Sequence, residues 1–187
     1  MSSRLKEQFL LYRIKAKKDA DAFGEIYDLY VKRIYRFIYF KVPSAEQAED
    51  LTSESFLKAW HYLFEKREVP NLQALLYSIA RSVVIDWYRA SSAERMGTVS
   101  LDETLTATLP DAAAEKTLRN IEAKFDTTLV LERLRGLKDE YREVVIMKFL
   151  DEMSTAEIAT VLGKSSANVR VILHRATKFL SCKLSIL

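Results

Sequence analysis

Residues 154–176 read STAEIATVLGKSSANVRVILHRA, and their spacing predicts two helices joined by a tight turn. Ser154 and Glu157 have the spacing of a capping box, which bonds the unpaired amides at the start of a helix. Gly163 follows the last residue of that helix, where a backbone with positive φ is favoured. Ser165 can then cap the second helix. The stretch therefore predicts a helix-turn-helix.

The second helix of this motif has an apolar face and a polar face. Its buried stripe is predicted at helical spacing, at Val169, Ile172, Leu173 and Ala176. On the polar face, asparagine and arginine suit bidentate contacts with base edges, while serine, histidine and arginine suit phosphates. The side chains predicted to meet DNA in the major groove are Ser165, Ser166, Asn168, Arg170, His174 and Arg175. A generic helical hairpin with a solvated basic face is the alternative.

The rest of the chain is predicted to be helical as well. Its 187 residues contain only four glycines and three prolines, which favours long helices over a turn-rich β fold. Apolar residues recur at helical spacing, and no segment shows sustained period-two alternation. The predicted helices span residues 4–17, 21–40, 45–64, 71–90, 127–135, 139–150, 155–162 and 166–180. The expected fold class is all-α.

Two small helical domains are expected, one at residues 1–90 and one at 127–187. Between them, residues 91–126 are rich in serine, threonine, alanine and acids, and Gly97 and Pro110 interrupt the segment. Acidic residues outnumber basic ones in this stretch. This composition predicts an acidic linker.

Composition also restricts the compartment. Cys182 is the single cysteine, so no intrachain disulfide is possible and a reducing cytoplasm is favoured. No apolar run approaches the ~20 residues that span a bilayer, and charged residues interrupt the N-terminal leucines. We therefore expect a cytoplasmic protein without membrane insertion. The net charge of +3 is too small to indicate nucleic-acid binding by itself.

Two N-terminal segments allow two interpretations each. Residues 45–61 (AEQAEDLTSESFLKAWH) carry acids that either complement the helix dipole or form a docking surface for a basic partner. Residues 71–89 (NLQALLYSIARSVVIDWYR) place arginines beside aromatic residues. This second helix is either an ordinary amphipathic core helix or one that contacts a nucleic-acid backbone and stacked bases.

Four collinear blocks of the chain resemble the extracytoplasmic-function group of the sigma-70 family, the promoter-recognising subunits of bacterial RNA polymerase. Residues 22–40 (AFGEIYDLYVKRIYRFIYF) resemble the first helix of sigma region two. Residues 49–60 (EDLTSESFLKAW) resemble the segment that docks on the polymerase β′ subunit. Residues 72–89 resemble the helix that reads and melts the minus-ten element. Residues 137–180 resemble region four, which reads the minus-thirty-five element.

The resemblance implies a non-catalytic protein that needs no cofactor or metal. Its implied partners are core RNA polymerase (β′ and β subunits), promoter DNA and an anti-sigma factor, and the free protein is expected to be a monomer. Loop residues 65–71 would hold an extruded base. The implied polymerase-docking residues are Glu49, Asp50, Leu51, Glu54 and Phe56. The implied minus-ten residues are Asn71, Arg81, Ser82, Asp86 and Arg89.

Some positions depart from the family pattern. Ser53, Leu75 and Ser82 stand where glutamine, tryptophan and asparagine are frequent. Ile172 replaces a common arginine of the recognition helix, which removes a possible phosphate contact but fits the inward stripe.

Two other functional classes compete with this interpretation. A stand-alone helix-turn-helix regulator would form a dimer and bind palindromic half-sites about one helical turn apart. The acidic block and the second nucleic-acid-like helix argue against it. An enzyme is disfavoured because His61 and His174 are the only histidines, and because the chain has no P-loop or glycine-rich nucleotide motif.

Overall fold

The structure, a computed structural model, describes residues 3–65, 68–95, 134 and 136–184. Within these ranges there are helices and turns but no strands, which confirms the all-α prediction. The helices are α1 (Ser3–Lys17), α2 (Ala20–Tyr39), α3 (Ala45–Phe64), α4 (Leu72–Arg95), α5 (Asp139–Val145), a π-helical turn (Ile146–Leu150), α6 (Thr155–Leu162) and α7 (Ser166–Leu184).

Most predicted helix boundaries agree with the observed ones, and the differences are local. Helix α4 continues to Arg95, so the segment predicted as the start of the linker is helical. The predicted α-helix at 139–150 is wrong in its last turn, which is π-helical. The predicted helix at 127–135 and most of the predicted linker lie outside the described residues.

Helices α1 to α4 form the N-terminal unit, whose core is rich in aromatic side chains. Phe37, Tyr39 and Tyr77 are at most 1% exposed. The rings of Phe37 and Tyr77 meet edge to face, with their centroids 5.1 Å apart. Since burying one large apolar side chain contributes about 1.5–3 kcal/mol, these residues hold α2 firmly against α4.

The C-terminal unit comprises α5, the π-helical turn, α6 and α7, and it contains the predicted helix-turn-helix. Both bonds of the capping box form, because the Ser154 amide donates to Glu157 Oε2 (2.7 Å) and the Glu157 amide to Ser154 Oγ (3.2 Å). Gly163 has φ +63° at the end of α6. The Asn168 amide donates to Ser165 Oγ (3.2 Å), which caps α7. The local signals of the motif are thus confirmed.

The two units pack directly against each other, with α6 lying on α4. At the centre of the contact, the buried Arg142 guanidinium on α5 donates to the Phe40 carbonyl at the end of α2 (2.6 Å). It also donates to the carbonyls of Leu134 (2.9 Å) and Leu137 (3.0 Å) within its own unit. One side chain therefore bonds the backbones of both units.

A second contact between the units lies at the π-helical turn. The Arg36 guanidinium on α2 pairs with the Asp151 carboxylate and donates to the Leu150 carbonyl (3.3 Å). Gln73 Nε2 on α4 donates to the Asp151 carbonyl (3.1 Å). The next residue, Glu152, has φ +55°, which is unfavourable for a side chain with a Cβ. The contacts with the N-terminal unit thus accompany a strained turn.

The carboxyl group of Asp151 lies in an unusual electrostatic setting. Its side chain is fully buried at the contact between the units. Burial raises the pKa of this carboxyl above its usual range, and the nearby Arg36 guanidinium opposes the shift. Burial, followed by the charge of Asp151, also raises the pKa of the Tyr77 hydroxyl.

The capping box predicts a measurable loss of stability when its serine is removed. Ser154→Ala should lower the free energy of unfolding by about 1 kcal/mol, because one amide at the start of α6 loses its acceptor. Urea denaturation checks this value. Thr160→Ala on the same helix is the control, since its hydroxyl bonds only the Ala156 carbonyl one turn back (3.1 Å) at an exposed position and its removal should change stability by less than about 0.5 kcal/mol. Equal losses in the two variants would contradict the prediction.

The raised pKa of Asp151 predicts a pH-dependent contribution to stability. Because the folded chain holds this proton more tightly than the unfolded chain, the contribution is fully present below the ordinary pKa of 3.8 and is lost as pH rises through the folded pKa. The unfolding free energy of wild type minus that of Asp151→Asn should therefore be largest at acid pH and fall as the pH is raised toward neutrality. Urea denaturation over a series of pH values measures this difference, and a difference that rises with pH would show that the ion pair outweighs burial.

Candidate nucleic-acid interface

Helix α7 presents the polar face predicted for DNA contact. Val169, Ile172 and Ala176 are at most 4% exposed and pack inward, while Leu173 is partly buried. Ile172 therefore lies in the stripe, as its position predicts. The outward residues are Ser165, Asn168, Arg170, His174 and Arg175, which are exposed, and Ser166, which is half-buried.

The outward face of α7 also contains a residue that the sequence-based site leaves out. Val171 directly follows Arg170 on α7, and its side chain is 48% exposed. An exposed valine at this position can contact the methyl group of a thymine in the major groove. The sequence indicates the exposure of Val171 only through its position outside the apolar stripe of α7.

Helix α3 separates the five predicted docking residues into two groups. Glu49, Asp50 and Glu54 are exposed on its outer face. Leu51 and Phe56 are 5% and 4% exposed and lie in the core of the N-terminal unit, so in this conformation they support that face and are not part of it.

The outer face of α3 also carries an apolar residue absent from the predicted set. Leu57 is 58% exposed. It follows Asp50 and Glu54 at positions i, i+4 and i+7, so the three residues share one face of the helix. The same spacing was available in the sequence. A carboxylate pair beside an exposed leucine can combine electrostatic attraction with apolar contact.

The predicted minus-ten residues on α4 also form two groups. Ser82, Asp86 and Arg89 are exposed along its middle and C-terminal part. The Arg89 guanidinium lies 3.7 Å from the Asp86 carboxylate. Asn71 and Arg81 are half-buried and face the C-terminal unit.

Asn71 and Arg81 each contact a carboxylate of the C-terminal unit. Arg81 Nε lies 3.4 Å from Glu143 Oε1 on α5. Asn71 Nδ2 donates to Glu157 Oε1 on α6 (2.6 Å), while Asn71 Oδ1 accepts the amide of Ala74 (2.8 Å) and so caps α4. The structure therefore brings the N-terminal half of α4 against the helix-turn-helix unit.

Other kinds of site find no support among residues 3–65, 68–95 and 136–184. No group of three histidine, cysteine or acidic side chains could hold a metal ion there. His61 and His174 are both exposed and lie on different units. No helix within these ranges is long and apolar enough to cross a bilayer.

Comparison with known proteins agrees with this arrangement. The family model for sigma-70 region 2 matches residues 26–94, and the model for sigma-70 region 4 matches residues 127–180. The chain is 32% identical over 159 residues to the RNA polymerase sigma factor YlaC of Bacillus subtilis, covering 85% of this chain and 90% of that one.

Two further proteins are similar. The ECF RNA polymerase sigma factor BldN of Streptomyces coelicolor is 33% identical over 169 residues, which cover 87% of this chain and 60% of BldN. This chain thus spans about three-fifths of the length of BldN. The solved structure of the sigma factor RpoE in complex with the anti-sigma factor NepR, from Bartonella quintana, has a TM-score of 0.66 at 21% identity, covering 88% of this chain and 97% of that one.

These comparisons bear on both units at once. The two matched regions occur in the order and on the helices that the sequence analysis assigned to them. The similarity to YlaC extends over nearly the whole of both chains. The likeness to RpoE shows that the described helices have the fold of such proteins. This chain belongs to the extracytoplasmic-function sigma factors of the sigma-70 family.

Proposed function

We propose that this protein binds core RNA polymerase in the cytoplasm and directs it to promoters, acting as a specificity subunit without a catalytic site of its own. The observation that carries the proposal is the outward surface of α7, where Asn168, Arg170 and His174 are all exposed. A helix with this face inserts into the major groove and reads base edges. The proposed function also requires that α7 be held at a fixed distance from the second proposed DNA-binding helix, α4.

The exposed face of α3 is the proposed polymerase-docking surface, formed by Glu49, Asp50, Glu54 and Leu57. Surface carboxylates steer a basic partner and set its orientation, while an exposed leucine provides apolar area. Leu51 and Phe56 hold this surface in place from beneath. Its partner is the β′ subunit, and the β subunit would contact the C-terminal unit.

The two DNA elements are assigned to the two units. On α7, Asn168, Arg170 and His174 would lie over bases of the minus-thirty-five element, and Ser165, Ser166 and Arg175 on its phosphates. On α4, Ser82, Asp86 and Arg89 would line the minus-ten strand together with Arg81 and Asn71. A base extruded beside residues 65–71 would recover its unstacking energy through new stacking contacts, at about 1–3 kcal/mol per base.

Control by an anti-sigma factor is the final part of the proposal. The similar sigma factor RpoE was solved with the anti-sigma factor NepR bound. A partner of this kind would cover the docking surface on α3 or the DNA-binding face of α7. The free chain is proposed to be a monomer, and a stable dimer on native mass measurement would favour the stand-alone regulator instead.

Charge reversal on α3 tests the docking surface. Asp50→Arg should weaken capture by immobilised core RNA polymerase about tenfold or more, because an attractive carboxylate becomes a repulsive cation. Asp28→Arg, which reverses an exposed charge on α2, is the matched control and should bind as wild type does. Equal capture of both variants would remove the α3 face from the interface, and no capture of the wild type would overturn the proposed function.

Substitution on α7 tests direct base recognition. In holoenzyme, Arg170→Ala should weaken binding by about 1–3 kcal/mol and relax the preference at one base pair of the minus-thirty-five element. A promoter that wild-type holoenzyme binds is selected first. The affinity of each holoenzyme for that promoter and for its single-base variants then measures both effects. Arg175→Ala is the comparison, since loss of a phosphate contact should weaken all sequences alike. An unchanged base preference in Arg170→Ala would exclude Arg170 from base recognition.

A further inference from the structure

Helix α1 leaves a row of large apolar side chains in contact with solvent. Leu5, Phe9 and Tyr12 are 56%, 55% and 66% exposed. On the inward side of the same helix, Leu10 and Ile14 are buried in the core of the N-terminal unit. Helix α1 is therefore apolar on two sides, and the N-terminal unit covers only one of them.

The exposed row has the spacing of a coiled-coil seam. Leu5, Phe9 and Tyr12 follow one another at intervals of four and three residues, and the exposed Ala16 continues the row after four more. At about 100° per residue, these four residues span an arc of about 60°. A helix that packs on a core or lies in a membrane interface has a broader apolar face, whereas a narrow row is typical of a seam between two helices. The row, called the α1 seam below, therefore favours a helix as its partner.

Basic residues border the α1 seam on both sides. With Phe9 at position a of a heptad and Tyr12 at position d, Lys6 and Arg13 occupy e positions and Lys15 occupies a g position. Residues 4–18 contain six basic residues and only one acidic residue. Charges at e and g positions determine which helix can pair, so the α1 seam suits a partner with acids at those positions.

Some of these cations already have partners in the N-terminal unit, and others do not. Arg13 lies 2.8 Å from Asp19 and 3.0 Å from Glu25, and Lys6 lies 3.4 Å from Glu25. Within the part of the chain that the structure describes, no carboxylate pairs with Lys15 or Lys17. These two ammonium groups can therefore pair with an incoming acidic helix.

The end of α1 carries a further cation at a conformational cost. Lys18 has φ +49°, in the left-handed region that glycine adopts without a steric penalty. Its side chain is exposed. Cations near a helix C-terminus complement the helix dipole, but Lys15 and Lys17 already do so in the last turn of α1. Lys18 thus adds positive charge beside the α1 seam beyond what the helix requires.

We propose that the α1 seam binds an acidic amphipathic helix of another protein. This surface is separate from the proposed polymerase-docking surface on α3, which is acidic and suits a basic partner. A second copy of this chain fits the α1 seam poorly, because the lysines of two paired α1 helices would oppose each other. The opposite charges of the two surfaces therefore let one chain select two different partners.

Binding of a designed helix to the full chain tests the proposal. The probe is a labelled peptide of about three heptads, with isoleucine at a, leucine at d and glutamate at e and g. The same peptide with lysine at e and g is the charge control, and fluorescence anisotropy measures both affinities. Wild type should bind the acidic peptide about tenfold or more tightly than the basic peptide, and added salt should reduce this difference.

The apolar contribution is tested at the centre of the α1 seam. Phe9→Glu should weaken binding of the acidic peptide about tenfold or more, because an apolar contact is replaced by a like charge. Phe149→Glu is the matched control, since Phe149 is 57% exposed on the C-terminal unit and the substitution is chemically the same. This control should bind the peptide as wild type does.

The electrostatic contribution is tested at two lysines. Lys17→Glu should weaken peptide binding about threefold, whereas Lys178→Glu, at an exposed position on α7, changes the net charge equally and should have no effect. Lys18→Gly separates binding from folding. It removes the unfavourable backbone conformation, so urea denaturation should show unchanged or higher stability while peptide binding weakens about twofold.

Three results would overturn the proposal. The first is equal affinity of wild type for the acidic and the basic peptide, and the second is an equal effect of Phe9→Glu and Phe149→Glu. The third is unchanged binding in both Lys17→Glu and Lys18→Gly. If wild type ignores the acidic peptide but cosediments with vesicles of phosphatidylcholine and phosphatidylserine, and Phe9→Glu does not, the α1 seam is a membrane-binding surface and the proposal is wrong.

Discussion

The buried guanidinium of Arg142 is the interaction on which the rest of the arrangement depends. It is 6% exposed and bonds the carbonyls of Leu134, Leu137 and Phe40. The Phe40 carbonyl lies at the end of α2, where helix carbonyls lack partners and the helix dipole favours a cation. Each of these carbonyls would lose a charged donor if Arg142 were absent, which is costly for a buried group. The end of α2 and the start of α5 are therefore fixed to each other.

This fixed point explains the position of the neighbouring charges. Lys41, whose ammonium pairs with the Glu143 carboxylate, directly follows the carbonyl that Arg142 bonds. Glu143 directly follows Arg142, so the same contact aligns both members of this ion pair. Buried ion pairs of this kind add little net stability, because desolvation offsets their attraction, but they disfavour alternative arrangements. The joint between the units is thus better described as selective than as strong.

Local signals were sufficient to predict the helix-turn-helix. Ser154 with Glu157, Gly163 and the stripe on α7 each act within a few residues, and all specify the same boundaries. The contact between the units has no such signal, since Arg36 and Asp151 are 115 positions apart and no pattern in a single sequence joins them. The π-helical turn ends at that contact, where Arg36 donates to the Leu150 carbonyl, and it has no local signal in the sequence either.

The docking helix shows a different limit. The acids of α3 form a cluster that the sequence alone shows, whereas Leu51 and Phe56 join the predicted docking set through the resemblance to the family's segment and not through helical face. Their spacing relative to Ala48, Ala59 and Leu63 places them on the inward side, where all five are at most 5% exposed. Residues of the candidate site could therefore be chosen from the sequence, whereas their division between surface and support required the structure.

The π-helical turn at Ile146–Leu150 has a consequence for how this protein can vary. Its closing bond joins the Asp151 amide to the Ile146 carbonyl, which places one more residue in the loop than an α-helix does. Deleting one residue there would remove the extra residue and restore ordinary α-helical bonds. The π-helical turn lies inside the C-terminal unit, where α5 packs against α7, so such a deletion would change how α5 joins α6 and would disturb the core that supports the recognition helix. The length of this segment is therefore constrained even though it carries no side chain of the candidate site.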